Sequence, residues 1–311
     1  MSRTVVTSPL PTVAFGFGAH SGIDDGPEWL RLVRRADDSR LDLFSLSDHP
    51  YLGGRLDAYA SIGFVLGWTR HLAGFANVTN LPTRPAAMLA RTVTSLSALS
   101  GGRIVLGMGA GGQWNRIRDL GVPWLPPADA VDALEEAIVL VRRLSGGGPP
   151  VTHQGRHYRV DQIEPTPVAA PPVWTGSVGP KSLAATGRVA DGWIPGHAAD
   201  WRSQRYRESR PVIDEAAAAA GRDPREIRTV FNLPGRITDL PLAATRDRDG
   251  RWIGGSSDQW VEELSGAVLE HGASGFVLFS SSGGMPDAVS LGHWADEVVP
   301  AVREAITKDG G

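Results

Sequence analysis

Short apolar runs recur along the chain, and most are followed by a stretch with helical spacing of its apolar positions. The runs suited to buried strands are Val13–Phe17, Leu41–Ser47, Leu72–Val78, Arg103–Met108, Val173–Gly176, Gly192–Pro195, Ile227–Asn232 and Gly275–Phe279. Helices are predicted from about Pro27 to Arg40, near Ala58–Trp68, from about Arg84 to Leu99 and near Asp129–Leu144. Three more follow: Pro180 to Val189, the alanine-rich stretch ending at Gly221, and about Asp287 to Ile306. Local chemistry marks several ends. Pro27 suits the first helical position, where a missing N–H costs nothing, and Ser100, Gly101 and Gly102 form a stop signal. The glycine- and proline-rich loop Ser145–Pro150 leads to a small hairpin around His153–Val160.

Eight strand–helix units in one chain predict an α/β fold of the (β/α)8 TIM-barrel type rather than an open doubly wound sheet. The glycine fingerprint of the open sheet is not completed after the first strand, where Gly16 and Gly18 are followed by Ser21. Two insertions interrupt the alternation, Gly109–Ala128 after strand four and Leu233–Ser256 after strand seven. Both fall at strand C-terminal ends, where barrels build their active sites. No linker has a disorder-like composition, so residues 1–311 read as one domain.

Composition narrows the function classes. The absence of cysteine excludes a disulfide scaffold, a thiolate-ligated zinc or iron–sulfur site and a thiol nucleophile. A net charge of −3 argues against electrostatic binding of nucleic acid. No apolar run approaches the roughly 18–20 residues of a membrane span. The first residues lack the pattern of a signal peptide. A cytoplasmic protein without a membrane or nucleic-acid partner is expected.

Polar residues at the strand C-terminal ends are the candidates for chemistry. They are His20, Asp48 with His49, Asn77 with Asn80, Asn115, Lys181 with Ser182, His197, Asn232 and Ser280–Ser282. His49 beside Asp48 suits proton transfer near neutral pH, although Ser47-Asp48-His49-Pro50 is also good turn chemistry. The loops at Ala110–Gly112 and Val178–Lys181 can turn backbone N–H groups toward an anion, or can be tight turns that need glycine. Lys181 opens a helix, where a cation is unfavourable unless an anion offsets it. His20, His49 and His197 sharing a metal is the alternative of another class, a metal-dependent barrel hydrolase. Strand one ends in a single histidine rather than a His-x-His pair, and no metal site is predicted. Arg188 and Asp191 read as a salt bridge or cap between helix and strand. Trp114, Trp124 and Trp252 lie in the insertions, where they can wall a pocket or simply pack.

Together, several blocks resemble the luciferase-like monooxygenase superfamily, including its branch that uses the deazaflavin coenzyme F420. They are Phe44–Pro50, Val78–Pro85 continuing to Ala90 and Arg91, Leu99–Gly111, Pro171–Pro180 and Gly187–Trp193, and the third is the most specific. The resemblance implies a flavin or deazaflavin across the barrel mouth, with Asp48 contacting it and His49 as proton donor or acceptor. It implies a bulge with a non-prolyl cis peptide at Asn77–Val78, pressed against the ring. Asn80, Ala110, Gly111 and Asn115 match further coenzyme positions, and Val178, Gly179, Lys181 and Ser182 match the phosphate loop. The chain departs from the branch's glucose-6-phosphate dehydrogenases. Gly112 stands where they carry a catalytic Glu, and Gly196 and Ala199 stand where they bind the sugar phosphate.

The expected activity is F420-dependent hydride transfer to or from a small organic substrate by a homodimer. The alternatives are an FMN-dependent monooxygenase served by a separate flavin reductase, the metal-dependent hydrolase, and a barrel that binds a flavin without catalysis.

Overall fold

The computed structural model describes residues 10–19, 22–196 and 200–309. The chain runs β1 (Ala14–Ala19), α1 (Gly26–Asp38), β2 (Leu43–Leu46), α2 (Ala58–Trp68), β3 (Ala73–Ala76), β4 (Thr79–Asn80), α3 (Ala86–Ser100) and β5 (Leu106–Gly109). It continues with α4 (Trp114–Asp119), α5 (Pro127–Arg143), the hairpin β6 (Val151–Gln154) and β7 (Arg159–Ile163), β8 (Val173–Thr175), α6 (Pro180–Val189) and β9 (Gly192–Trp193). After these come α7 (Gln204–Ala219), β10 (Arg228–Pro234), β11 (Arg236–Thr238), β12 (Gly254–Ser256), α8 (Ser257–His271), β13 (Gly275–Phe279), α9 (Ala288–His293) and α10 (Val299–Asp309).

The main sheet has the order β3-β2-β1-β13-β10-β9-β8-β5-β4, with every pair parallel. β3 and β4 are one strand position broken at Asn77 and Val78. Below the break Gly74 bridges Ile104, and above it Thr79 and Asn80 pair with Met108 and Gly109. The sheet therefore closes into the eight-position barrel expected from the alternation.

The apolar runs are buried on both faces because each strand feeds two cores. In β13, Val277 and Phe279 point into the barrel interior with Ala14, Leu43, Phe75 and Trp174, while Phe276 and Leu278 face the helical layer. Leu10 packs against one end of the interior column and Val78 against the other.

Several boundaries differ from expectation for local reasons. α3 starts at Ala86 because the ring of Pro85 holds the preceding Arg84 in extended backbone, φ −134° and ψ 108°, and it ends at Gly101 with φ +71°. The single helix expected over 287–306 is split by a π-helical turn, Trp294–Val298. Pro300 has no N–H to return to the Asp296 carbonyl, so the turn before it widens. That turn carries Trp294 into full burial against Phe15 and Trp260. The second insertion contains the parallel pair β11–β12, and α8 after it completes the seventh unit with a Ser256–Gln259 capping box.

A cavity of about 1060 Å³ opens at the N-terminal ends of the strands, away from the expected site. Two half-buried guanidinium groups there bind chain carbonyls: Arg103 those of Leu66 and Leu72, and Arg228 those of Pro11, Thr12 and Ser274. That end holds the barrel together.

Candidate active site

β2 ends at Leu46, and the chain turns across the barrel mouth through Ser47, Asp48 and His49. Asp48 is buried, and its carboxylate is engaged within the protein. Arg84 grips it with Nε at 2.9 Å and Nη2 at 2.6 Å, and the Asn80 N–H donates to it at 3.0 Å. Arg84 also reaches Asp57, the N-cap of α2, at 2.8 Å, and lies 4.8 Å above the Tyr59 ring. Burial alone would lower the Arg84 pKa, but its bonds to Asp48 and Asp57 outweigh that and hold it above the ordinary range. Tyr59 is fully buried, which pushes its phenol up, and its hydroxyl meets Thr79 Oγ1 at 2.7 Å. This strut fixes the His49 loop to the segment just beyond the broken strand.

At the break, the Asn77–Val78 peptide bond is cis, as the resemblance implied. The Asn77 N–H donates to the Leu46 carbonyl at 2.8 Å, and its side-chain amide donates to Asn232 Oδ1 at 2.8 Å across the mouth. Val78 projects over two glycines. A Cβ on Gly109 would lie 2.7 Å from Val78 Cγ2, and one on Gly176 would lie 3.1 Å from it. Gly111 has φ +96°, and a Cβ there would press on Pro82 at 2.8 Å, so both conformation and space require glycine. Asn80 is buried, yet its Oδ1 has no hydrogen-bond partner among the described residues.

His49 is half-buried, and its Nδ1 lies 2.6 Å from the hydroxyl of buried Tyr51. Arg116 of α4 donates to the Tyr51 carbonyl at 3.3 Å, tying the first insertion to this turn. Ala110 and Gly111 sit at the end of β5, and Asn115 is exposed on α4. In the loop after β8, Val178 is exposed and Gly179 caps α6. The Gly179 N–H donates to Ser182 Oγ, and that hydroxyl donates to the Gly179 carbonyl. The cation that opens α6 has its anion inside the chain: Lys181 Nζ lies 2.5 Å from Asp132 and 2.9 Å from the Ala128 carbonyl, both on α5.

The luciferase-like monooxygenase family matches residues 11–276 of this chain. The chain belongs to that family. Among curated relatives, an F420-dependent glucose-6-phosphate dehydrogenase of Microbacterium testaceum is 29% identical over 237 residues, 73% of this chain and 68% of that protein. An F420-dependent hydroxymycolic acid dehydrogenase of Mycobacterium tuberculosis is 31% identical over 175 residues, 56% of this chain and 47% of that protein. The match thus spans about half the length of the mycobacterial relative. Among solved structures, an F420-dependent secondary alcohol dehydrogenase in complex with an F420-acetone adduct superposes with TM-score 0.78. It is 19% identical, with coverage of 94% of this chain and 100% of that one, a likeness of fold.

Other rim residues of this family member are distributed unevenly. His20, His197 and Ala199 lie outside the described residues. Among the described residues, no group of three or more His, Asp or Glu is placed to hold a metal. Arg188 and Asp191 do not pair: Arg188 forks onto Glu135, while Asp191 takes Arg142 and the Val173 N–H. Both reach α5 because helix and strand lie side by side against it. Trp252 lines a second cavity, about 330 Å³, with Asn232, Leu233 and Ser281, whereas Trp124 is exposed at the surface. Tyr51 and Arg84 carry the local geometry of the site but drew no role from the sequence. The one available signal was their place within or beside the two resembling blocks.

Proposed function

We propose that this protein binds coenzyme F420 at the C-terminal mouth of the barrel and transfers hydride between it and a small, unphosphorylated organic substrate. The observation that carries this reading is Val78 seated over Gly109 and Gly176 at the barrel mouth, with the His49 turn braced beside it. The F420-dependent relatives support it. When bound, the coenzyme supplies the carbon that carries the hydride.

The chain's own residues fit that group. Val78 packs closely over Gly109 and Gly176, which have no side chains to displace it, and stands as an apolar backing for a flat ring. The buried, unpartnered Asn80 Oδ1 is an acceptor for a ring or side-chain donor. The first N–H groups of α6, at Lys181 and Ser182, have no partner within the helix and suit a phosphate. With Lys181 held by Asp132, that loop offers backbone dipoles rather than a free ammonium. Ala110 and Gly111 after β5, Asn115 on α4, and Val178 and Gly179 before α6 are the further coenzyme contacts of this reading, and Asp48 acts through the strut. His49 gives or takes the proton at the substrate oxygen. Gly112 supplies no second acid, and Gly196 offers no side chain for a sugar phosphate.

The test is a pair of titrations of the purified protein, with F420 and with FMN, followed by fluorescence. Tight binding of F420, with oxidation or reduction of a ketone or alcohol, is expected. Binding of FMN alone would redirect the assignment to a monooxygenase fed by a separate flavin reductase. Binding of neither, with stoichiometric metal present, would leave the hydrolase. Binding of F420 without turnover of any substrate would leave a carrier.

The oligomer belongs to the same reading. α2 has no charged residue over its whole length. One side of it packs on the barrel, but Phe64 on the outside is 61% exposed, and Met88 on neighbouring α3 equally so. An apolar face of this kind calls for cover, and a second copy of the chain supplies it in the proposed homodimer. Phe64→Glu is expected to halve the mass measured by light scattering. A wild-type monomer, or an unchanged dimer in the variant, would overturn the assignment of this face.

A further inference from the structure

We propose that Tyr51 is a positioning residue: its phenol holds Nδ1 of His49 and so assigns the ring's exchangeable proton to Nε2. The inference concerns the residue that orients His49, and its kinetic half rests on the function proposed above.

Three observations carry it. The Tyr51 hydroxyl lies 2.6 Å from His49 Nδ1, at the short end of the hydrogen-bond range, with the two rings 5.5 Å apart and inclined at 55°. Tyr51 is only 9% exposed, so packing holds its hydroxyl at that nitrogen. Its backbone is held from two sides. The Leu52 N–H closes the turn onto the His49 carbonyl at 3.0 Å, and Arg116 reaches the Tyr51 carbonyl from α4. The pair is therefore built by the turn itself rather than by a chance rotamer.

The chemistry follows from the inventory of donors. A neutral imidazole has one N–H and one acceptor nitrogen, and the partner of one nitrogen decides the state of the other. Burial, reinforced by the negative charge of Asp48 and opposed by Arg116, pushes the Tyr51 phenol above its ordinary value, so it stays an O–H. A neutral imidazole nitrogen is a stronger acceptor than a phenol oxygen, so the hydroxyl donates to Nδ1 and leaves Nε2–H as the neutral tautomer. When the ring takes up a second proton, the same hydroxyl turns to accept from Nδ1–H. One partner thus serves both protonation states without moving the ring. A carboxylate in this place would favour the charged ring only. Asp48, the adjacent acid, is committed to Arg84 and Asn80 and leaves Nδ1 to the phenol.

The test uses the full chain labelled with ¹⁵N-histidine, without coenzyme, with the His49 signals identified by their loss in His49→Ala. The expected wild-type spectrum at a pH where His49 is neutral shows an unprotonated Nδ1 and a protonated Nε2. In Tyr51→Phe, which keeps the ring and its packing, the two nitrogens are expected to move toward averaged shifts. A wild-type Nδ1–H tautomer, or an unchanged spectrum in Tyr51→Phe, would overturn the proposal. The wild-type measurement stands even if the variant does not fold. It also stands apart from the choice of coenzyme, because no coenzyme is present. In turnover with F420, Tyr51→Phe is expected to lower kcat roughly tenfold at unchanged KM. The same change in a His49→Ala background is expected to do nothing further. Additive losses in the double variant would show that Tyr51 acts independently of His49 and would overturn the positioning role.

Discussion

His49→Ala is expected to lower kcat by about 10²- to 10⁴-fold, the usual worth of a positioned acid or base, while the affinity for F420 changes little. The expectation rests on placement. His49 is half-buried in the turn braced against the segment at Asn80, and the phenol of Tyr51 holds its ring. The coenzyme's affinity is expected to reside elsewhere, in the Val78 backing seated on Gly109 and Gly176, in Asn80 and in the N-terminus of α6. Rapid-mixing measurement of the hydride-transfer step, beside a binding titration, separates the two effects. Activity kept within a factor of a few would remove His49 from the mechanism. A collapse of binding instead of rate would make it a coenzyme contact.

The second large effect is structural. Arg84→Ala is expected to destabilise the fold by about 3 kcal/mol, within the range seen when one partner of a buried ion pair is removed. The Asp48 side chain is 1% exposed and that of Arg84 18%, so the abandoned carboxylate stays in a site that water reaches poorly. For a chain of this size, Tm is expected to fall on the order of 5 °C. Arg84→Lys keeps the charge but loses the planar fork that spans both carboxylate oxygens and stacks on Tyr59, so it is expected to recover only part of the loss. F420 binding is expected to weaken in parallel, because Asp48 also holds the Asn80 backbone next to the broken strand. Thermal denaturation together with the titration checks both parts. A variant with unchanged Tm and affinity would show that the strut holds nothing.

The two predictions differ in how far they were visible in the chain. His49 was conspicuous because histidine beside an acid at a strand end has a narrow set of uses. Arg84 lies 36 positions from Asp48, and nothing in its spacing announces a partner. The resemblance marked Asp48 as a coenzyme contact; that its carboxylate also holds Arg84 and the Asn80 N–H was not legible in the chain. Lys181 taught the same lesson. A lysine at a helix N-terminus pointed to an anion, and the structure supplies one from Asp132, on a helix that is adjacent only once the barrel closes.

What the sequence determined by itself is the part set by neighbours along the chain. The alternation of strands and helices, the start of α1 at Pro27 and its neighbour, the end of α3 at Gly101 and the positions of the two insertions all follow from local propensity and periodicity. Closure of the sheet decided the rest. It set β3 against β5, brought Asn77 to Asn232, laid Val78 over Gly109 and Gly176, and turned the apolar runs toward two cores at once. Local rules describe a residue's own backbone and its near neighbours. Hydrogen bonds and ion pairs in a site join side chains tens or hundreds of positions apart, so only the closed barrel determines which of them meet.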